Sequence, residues 1–353
     1  MPTPGAPRPP REGRARRTRV LGDLGSRSDR RVWVATLRCA VLDDYQGVAR
    51  DLADWESLSG RVDVRFLDRY IGAHDALVAE IADCEIVVVM RERTPFPAEL
   101  FARLPRLRLL ITSGLRNASI DLAAAAAHGV TVCGTPSSSE PPAELTWALL
   151  LGLARGIVPE NDSLRAGGPW QSTLGADLHG CRLGLLGLGK IGTRVARVGA
   201  AFGMDVTAWS QNLTEERAAE AGATLAASKE ELLETSDFVS VHLVLGDRTR
   251  GLIGADELKR MRRTAYLVNT SRAAIVDQDA LVRALREGWI AGAGSDVFET
   301  EPLPLDHPLR TAPNFLGLPH LGYVTRRNYE GYFRGAVEDI EAYLTGSPVR
   351  TLG

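Results

Sequence analysis

The most constraining feature of this sequence is the run "RLGLLGLGKIG" at residues 182–192. It places Gly187, Gly189 and Gly192 at G-x-G-x-x-G spacing between an apolar strand-like run and a run of good helix formers. Such glycines allow a tight turn out of a strand, a close approach of the backbone to a ligand and close packing of the helix. The backbone N–H groups at the positive end of that helix are expected to bind the pyrophosphate of a dinucleotide.

Short β-rich runs alternate with helix-like runs from Cys39 onward, which predicts parallel sheets covered by helices. The first series of strand-like runs is "RCAVLDD", "VDVRFL", "EIVVVM", "LRLLITS" and "VTVCG". The second series is "RLGLLG", "DVTAWS", "FVSVHL", "AYLVNT", "IAGAGSDV" and "FLGLP". Helices are expected over residues 48–58 and 119–129, and a long apolar helix over 141–157 separates the two series. The alternation predicts two α/β domains.

The segment after Thr325 carries apolar side chains at helical spacing. One stripe of an amphipathic helix would be formed by Tyr329, Tyr332, Phe333, Ala336, Ile340 and Tyr343. Because this stripe must be buried, we expect the helix to pack on the first α/β domain.

Composition narrows the classes of function. A formal net charge of −2 over 353 residues gives no reason to expect nucleic acid or an anionic membrane as a partner. The apolar run at 147–154 is far shorter than the ~20 residues that span a bilayer. The four cysteines lie far apart without a C-x-x-C pair, which is typical of buried thiols and not of a metal site or a disulfide framework. We expect a cytoplasmic protein without a metal.

The first segment departs from this composition. Ten arginines among residues 1–38 face only Glu12, Asp23 and Asp29, and five prolines lie among the first ten positions. Residues 1–37 are therefore predicted to be a disordered tail. A floppy tail, a start site assigned too far upstream and a polyanion-binding arm are the three interpretations of it.

The strand-like run "DVTAWS" ends about 20 residues after the glycines, where an acidic residue typically binds the ribose hydroxyls of NAD. Here the residues are Ser210, Gln211 and Asn212. They neither repel a 2′-phosphate nor attract it strongly, since Arg217 is the nearest cation. The expected cofactor is NAD, with NADP possible.

Three residues downstream suit hydride chemistry on a 2-oxo acid. Arg272 has a rigid guanidinium that can bind a carboxylate, while Glu301 and His320 each follow a predicted strand end. A carboxylate beside an imidazole stabilises the imidazolium, which can then donate a proton to a carbonyl. Taken singly, each residue has an ordinary structural explanation; together they indicate a catalytic set.

With these motifs in order, the chain from residue 39 onward resembles the D-isomer-specific 2-hydroxyacid dehydrogenase family. The resemblance rests on "LGLLGLGKIG", "SDFVSVHLVL", "AYLVNTSRAAIVDQDALVRAL", "IAGAGSDVFETEPLPLDHPL" and "NFLGLPHLGYVT". It implies a Rossmann NAD(P)-binding domain, residues 141–325, inserted in a flavodoxin-like substrate domain, residues 38–140 and 326–353. It also implies a homodimer and a hinge near Pro141 and Gly322.

The resemblance further implies roles for individual residues. Arg272, Glu301 and His320 form the catalytic set, Asp296 lies beside the cofactor and Thr270 lies near the nicotinamide. The residues expected to contact the cofactor are Gly187, Gly189, Lys190, Ile191, Gly192, Ser210, Gln211, Asn212, His242, Thr270, Asp296 and Gly322.

On the substrate side the sequence differs from the family pattern. The loop "TSGLRNASID" keeps Gly114 and Leu115 but has Arg116 where a second glycine is usual. Arg116 would crowd the pocket, bind a second acidic group of the substrate or turn to solvent. Arg91 and Arg93 align with positions that contact extended or phosphorylated substrates in some relatives, and Glu144 is interpreted as structural.

Other activities within the same fold stay open at this point. Formate-oxidising relatives lack a carboxylate at the position of Glu301, which argues against formate, whereas phosphite oxidation is compatible with the motifs. An NAD(H)-sensing corepressor of the same fold would keep even the catalytic set. The expected function is an NAD(P)-dependent oxidoreductase acting on a small D-2-hydroxy acid or 2-oxo acid whose identity the sequence does not determine.

Overall fold

Residues 36–353, which the computed structural model describes, contain two all-parallel β-sheets. The first has five strands in the order β2-β1-β3-β4-β5. Its strands are β1 (Leu37–Val41), β2 (Val62–Phe66), β3 (Ile86–Val89), β4 (Leu109–Thr112) and β5 (Thr131–Gly134). This is the flavodoxin-like order that the family resemblance implies.

The second sheet has seven strands in the order β12-β11-β10-β9-β6-β7-β8. Its strands are β6 (Arg182–Leu186), β7 (Asp205–Trp209), β8 (Thr224–Leu225), β9 (Phe238–Val241), β10 (Tyr266–Asn269), β11 (Gly292–Ser295) and β12 (Phe315–Gly317). The direction of strand addition reverses between β6 and β9, which is the switch point where a Rossmann sheet binds its dinucleotide.

Helices cover both faces of each sheet. They are α1 (His74–Ile81), α2 (Ala98–Ala102), α3 (Leu122–Ala127), α4 (Glu140–Ala154), α5 (Ile157–Arg165), α6 (Lys190–Ala201), α7 (Glu215–Glu220), α8 (Lys229–Thr235), α9 (Ala255–Arg260), α10 (Gln278–Arg286) and α11 (Arg326–Leu344). Successive residues of β3 belong to different apolar clusters: Ile86 and Val88 pack on one face, Val87 and Val89 on the other. Strands β3 and β4 are buried at every residue, which explains their nearly continuous hydrophobic sequences.

Helix α11 returns to the five-stranded sheet, as its apolar stripe predicts. Tyr329, Tyr332 and Phe333 are buried in the same cluster as residues of β1, β3 and β4. Beyond the helix, the chain runs antiparallel to β5, where Leu352 N donates to Val132 O at 2.8 Å. The first and last parts of the described chain thus share one core.

The predicted helix over residues 48–58 is wrong. The structure has two short 3₁₀ turns there, Ala49–Asp51 and Trp55–Leu58. The apolar residues Ala49, Leu52, Trp55 and Leu58 recur every three positions, which is the 3.0-residue turn of a 3₁₀-helix and not the 3.6-residue turn of an α-helix. The Trp55 indole also donates to Ala49 O at 2.8 Å, which fixes one turn against the other.

Two predicted boundaries also shift. The apolar helix predicted over 141–157 runs over Glu140–Ala154, because Gly156 adopts a positive φ of 58° and starts α5 in a new direction. The predicted tail of residues 1–37 lies outside the described residues except at its end, where Leu37 already begins β1. No helix within 36–353 has the length and apolar character to cross a membrane.

Candidate active site

The glycine turn, residues 187–192, joins β6 to α6 at the switch point. Gly187 has a φ of +100°, and a Cβ added there would lie 2.7 Å from the carbonyl oxygen of His242. A Cβ on Gly192 would clash with the carbonyl oxygen of Gly187, whereas one on Gly189 would meet no protein atom. The open space at Gly189 and the start of a 12-residue helix fit a pyrophosphate held by backbone N–H groups. Lys190, exposed, and Ile191, half-buried, are the first two residues of that helix.

The end of β7 lies beside the glycine turn. Gly187 N donates to Trp209 O at 2.9 Å, so Ser210, the next residue, is adjacent to the turn in space. Gln211 and Asn212 follow in an exposed turn. This is the geometry expected for residues near the ribose of a dinucleotide, and no carboxylate occupies these three positions.

His320 and Glu301 form a hydrogen-bonded pair in the loops after β11 and β12. His320 Nδ1 lies 2.7 Å from Glu301 Oε2, and the other carboxylate oxygen accepts a hydrogen bond from Phe298 N at 2.8 Å. His320 adopts a φ of +54°, an uncommon conformation for a residue with a Cβ. The pairing leaves Nε2 as the ring nitrogen that can exchange a proton with a ligand.

Asp296, buried directly after β11, holds the turn that carries His320. Its two carboxylate oxygens accept hydrogen bonds from Leu321 N at 2.6 Å and Gly322 N at 2.8 Å. Burial raises the pKa of Asp296 to about 6, although the two backbone N–H groups oppose that shift. Asp296 and Gly322, both predicted at the cofactor site, therefore contact each other.

Arg272 follows β10 and reaches across to the five-stranded sheet. Its Nη2 donates to Glu92 Oε1 at 2.7 Å, and Nη1 donates to Ser271 O at 2.8 Å. The Asn269 side chain braces this loop by donating to Arg272 O at 3.0 Å. The predicted carboxylate-binding residue is thus paired with a carboxylate of the chain itself.

Two further predicted cofactor residues lie at neighbouring strand ends. Thr270 Oγ1 lies 2.8 Å from Thr146 Oγ1 of α4, which ties the end of β10 to that helix. His242 follows β9, and its Nε2 lies 2.9 Å from Ser240 Oγ. Burial lowers the pKa of His242 to about 4, so this ring is neutral at neutral pH.

The loop after β4 supplies the predicted substrate contacts in part. Gly114 has a φ of +93°, and a Cβ there would clash with a guanidinium nitrogen of Arg91, so the glycine makes room for that side chain. Leu115 and Arg116 are exposed. Of the alternatives for Arg116, the structure favours the side chain turned to solvent. Glu144 is exposed on α4.

Arg93 lies among aromatic side chains close to His320. Its guanidinium carbon is 4.4 Å from the ring centroid of Tyr45 and 5.4 Å from that of Tyr323. Its nitrogens donate to Asp43 O at 2.8 Å and to the Tyr329 hydroxyl at 3.3 Å. These contacts hold a cation in a fixed place beside the catalytic pair.

A cavity of about 640 Å³ opens onto the His320–Glu301 pair. The polar residues of its lining include Tyr45, Gln46, Arg93, Glu301 and His320, and the apolar ones include Phe298, Leu303, Leu309, Phe315 and Leu316. Arg272 lies outside this lining, on the side of Glu92. Arg272 Nη2 instead donates to Glu92 Oε1 at 2.7 Å, and the charge of His320 is among the groups that lower the pKa of Glu92.

Sequence reasoning missed Glu92, Thr146 and Tyr45. The signal for Glu92 is the run "RERT", in which one carboxylate lies between two arginines after a buried strand. Thr146 carries no such signal, because it is one small polar residue in an apolar helix.

Within residues 36–353, no three histidine, cysteine or carboxylate side chains cluster as metal ligands would.

Comparison with known proteins shows what this sequence and fold are similar to. Residues 147–322 match the sequence profile of the D-isomer specific 2-hydroxyacid dehydrogenase, NAD binding domain. The chain is 40% identical over 302 residues to a glyoxylate reductase of Aeropyrum pernix, covering 82% of this chain and 89% of that protein. A glyoxylate reductase of Korarchaeum cryptofilum is 38% identical, covering 76% of this chain and 82% of that one. Among solved structures, a phosphoglycerate oxidoreductase from Vibrio cholerae has a TM-score of 0.85 at 37% identity, covering 88% of this chain and 100% of that chain.

Proposed function

The chain belongs to the D-isomer specific 2-hydroxyacid dehydrogenase family, and from that premise we propose how its residues perform the reaction. The protein is an NAD(P)-dependent oxidoreductase of 2-hydroxy acids. We assign proton transfer to His320, its charge stabilisation to Glu301 and binding of the substrate carboxylate to Arg272. The observation that carries this assignment is the 2.7 Å contact between His320 Nδ1 and Glu301 Oε2.

In the direction of reduction, His320 Nε2 donates a proton to the carbonyl oxygen of the 2-oxo acid. The ring is positively charged before this step, and the Glu301 carboxylate stabilises that charge through the hydrogen bond at Nδ1. When bound, the nicotinamide supplies the hydride for the carbonyl carbon. In oxidation the neutral ring accepts the proton of the hydroxyl group.

Arg272 orients the substrate for this transfer. A guanidinium binds a carboxylate with two parallel hydrogen bonds, which sets the position of the neighbouring carbonyl as well as the affinity. Asp296 supports the same geometry, because its carboxylate accepts hydrogen bonds from both residues that follow His320. The Arg272 guanidinium thus binds the substrate carboxylate, and the His320 imidazole exchanges a proton with the substrate.

The substrate we propose is a small 2-oxo acid such as glyoxylate or hydroxypyruvate. Two relatives with about 40% identity carry the name glyoxylate reductase. Arg93, beside the catalytic pair, is suited to a second anionic group on the substrate. Steady-state kcat/KM values across glyoxylate, hydroxypyruvate, pyruvate and branched or aromatic 2-oxo acids, each with NADH and NADPH, test the proposal. Absence of turnover with every acid would exclude it.

We also infer two domains, residues 38–140 with 326–353 for the substrate and 141–325 for the cofactor. The five-stranded sheet and α11 share one apolar cluster, which supports the first grouping. Strands β6, β9 and β10 belong to two other clusters, which supports the second.

The four cysteines are free thiols, three of them buried, which supports a reducing compartment and hence the cytoplasm.

A homodimer is proposed from an apolar surface on α5 and the segment after it. Helix α5 has no buried residue, and Ile157, Val158 and Leu164 are exposed on it. Trp170 is 79% exposed and Leu174 fully exposed. Light scattering should find a dimer that Leu164→Asp/Leu174→Asp dissociates, whereas Val349→Asp, at another exposed apolar position, leaves it intact. A monomeric wild type would contradict the proposal.

A further inference from the structure

Glu92 lies between two guanidinium groups in the loop that follows β3. Its Oε1 accepts a hydrogen bond from Arg272 Nη2 at 2.7 Å, and its Oε2 lies 3.6 Å from Arg91 Nε. The side chains of Arg91 and Glu92 are only 20% and 21% exposed. Because Arg272 follows β10 of the other sheet, this one carboxylate connects the loops of both sheets.

Two buried polar atoms in this cluster have no hydrogen-bond partner within the described structure. They are Glu92 Oε2 and Arg91 Nε, and they face each other. Buried polar groups are nearly always paired, so each of these two atoms can still accept or donate one further hydrogen bond. A shift of Glu92 toward Arg91 by less than 1 Å would satisfy both atoms by bringing them within hydrogen-bond distance.

The position of Arg91 is held firmly in spite of its unusual backbone. Its φ is +55°, a conformation that is costly for a residue with a Cβ. Its N–H donates to Ser113 Oγ at 2.9 Å, and its carbonyl accepts from Asn117 Nδ2 at 2.7 Å. Gly114 leaves space for the guanidinium. The surroundings therefore maintain a second cation beside Glu92.

We propose that Glu92 is a positioning residue that binds Arg272 in the free enzyme and transfers to Arg91 when the substrate carboxylate takes Arg272. The inference rests on the proposed role of Arg272. Two arginines and one glutamate leave one positive charge, which a single substrate carboxylate neutralises. Burial raises the pKa of Glu92, but Arg91 and Arg272 outweigh it and hold the pKa below its usual value, so Glu92 competes as a charged group.

This exchange makes substrate affinity depend on a competitor built into the chain. Glu92 keeps the guanidinium of Arg272 ordered while no substrate is present, and every incoming carboxylate must displace it. Removing the charge should therefore tighten the binding of anionic ligands. A purely structural glutamate would have the opposite effect, because its loss would loosen the site.

The test measures the Ki of oxamate, a carboxylate analogue of a 2-oxo acid, together with the KM and kcat for glyoxylate. In Glu92→Gln, which keeps the shape of the side chain, we expect the Ki to fall about tenfold and the KM to fall with it, since a charge-assisted hydrogen bond no longer competes. Glu99→Gln removes an exposed carboxylate on α2 and should leave all three constants unchanged. An unchanged or higher Ki in Glu92→Gln, with normal NADH binding as the measure of correct folding, overturns the inference.

A double-mutant cycle identifies the second position of Glu92. Arg91→Met removes that position, so the Ki for oxamate should rise about tenfold in the wild-type background and stay unchanged in the Glu92→Gln background. An equal rise in both backgrounds would show that Arg91 binds the ligand directly and would overturn the exchange.

Arg272→Gln separates this inference from the proposed function. If oxamate binding is unaffected by that variant, Arg272 does not bind the carboxylate, and the proposed function fails together with the inference. If Arg272→Gln weakens oxamate binding strongly but Glu92→Gln does not tighten it, only the exchange is wrong.

Discussion

The glycine turn after β6 and the charged loop after β3, residues 91–93, follow central strands of their two sheets, but they are built in different ways. The glycine turn presents backbone groups, and its three glycines lie within six residues, although Gly187 also contacts Trp209 and His242. The charged loop acts through side chains whose partners come from distant parts of the chain: Arg272 for Glu92, Tyr323 and Asp43 for Arg93. Backbone sites are therefore local in sequence, whereas side-chain sites are assembled by the fold.

The largest expected effect follows the loss of a catalytic side chain. In His320→Ala, kcat should fall by roughly the 10²–10⁴-fold that general acid–base catalysis contributes, because the variant lacks the imidazole Nε2 that supplies the proton. The Kd for NADH should stay close to normal, since the glycine turn is untouched. Stopped-flow turnover and NADH fluorescence titration measure the two constants. Near-normal turnover would remove His320 from the mechanism.

Substitutions in the glycine turn should change the Kd for NADH, which His320→Ala leaves close to normal. A Cβ in Gly192→Ala would collide with the Gly187 carbonyl, and such overpacking costs about 1–3 kcal/mol, so the Kd for NADH should rise by roughly tenfold to a hundredfold and the Tm should fall. In Gly189→Ala the added Cβ meets no protein atom, so the Kd should rise without loss of Tm. Gly331→Ala, in an open position on α11, is the control for both.

At the end of β7 a backbone contact positions a side chain: the hydrogen bond from Gly187 N to Trp209 O places Ser210 beside the glycine turn. Wild-type kcat/KM values for NADH and NADPH should differ by less than about a hundredfold, since neutral donors discriminate weakly. Ser210→Asp should shift the ratio toward NADH by at least tenfold, and Ser210→Ala by much less. A ratio that Ser210→Asp leaves unchanged would mean that Ser210 is not at the ribose.

The smallest effect concerns pH and the turn after His320. The pKa of Asp296 is raised to about 6, so the ionised form that accepts both N–H groups is lost as the pH falls through that value. We expect kcat for reduction to drop about twofold between pH 8 and pH 6. Asp296→Asn cannot titrate and should lack this acid limb. An equal fall of kcat in Asp296→Asn would show that another group causes it.

The prediction of the fold from sequence succeeded where a local pattern determines the structure. The strand-like runs from "RCAVLDD" to "FLGLP" all contain strands. Runs such as "EIVVVM" and "LRLLITS" contain strands that are buried at every residue, so their sequences are nearly all apolar. Over residues 48–58 an α-helix was predicted, but apolar residues recur there every three positions and the structure has two 3₁₀ turns. The two-residue β8, Thr224–Leu225, is too short to have a period and was not predicted.

The prediction of the site divides in the same way. The glycines, Glu301 and His320 were identified because motif spacing and strand ends mark them. Glu92 was missed because its partner Arg272 lies 180 positions away, and no local pattern records which strand ends the fold brings together. The cation of Arg93 was noticed, but its aromatic neighbours Tyr45 and Tyr323 come from two other segments.

The return of α11 to the five-stranded sheet has a consequence for protein synthesis. Strand β5 ends at Gly134, but the helix that completes its core begins at Arg326. At ribosomal rates of roughly 5–20 residues per second, the earlier strands wait on the order of 10–40 s for that helix. During this interval the apolar face that will receive Tyr332 and Phe333 has no cover of its own. A nascent chain arrested before α11 should therefore bind chaperones that the released chain does not.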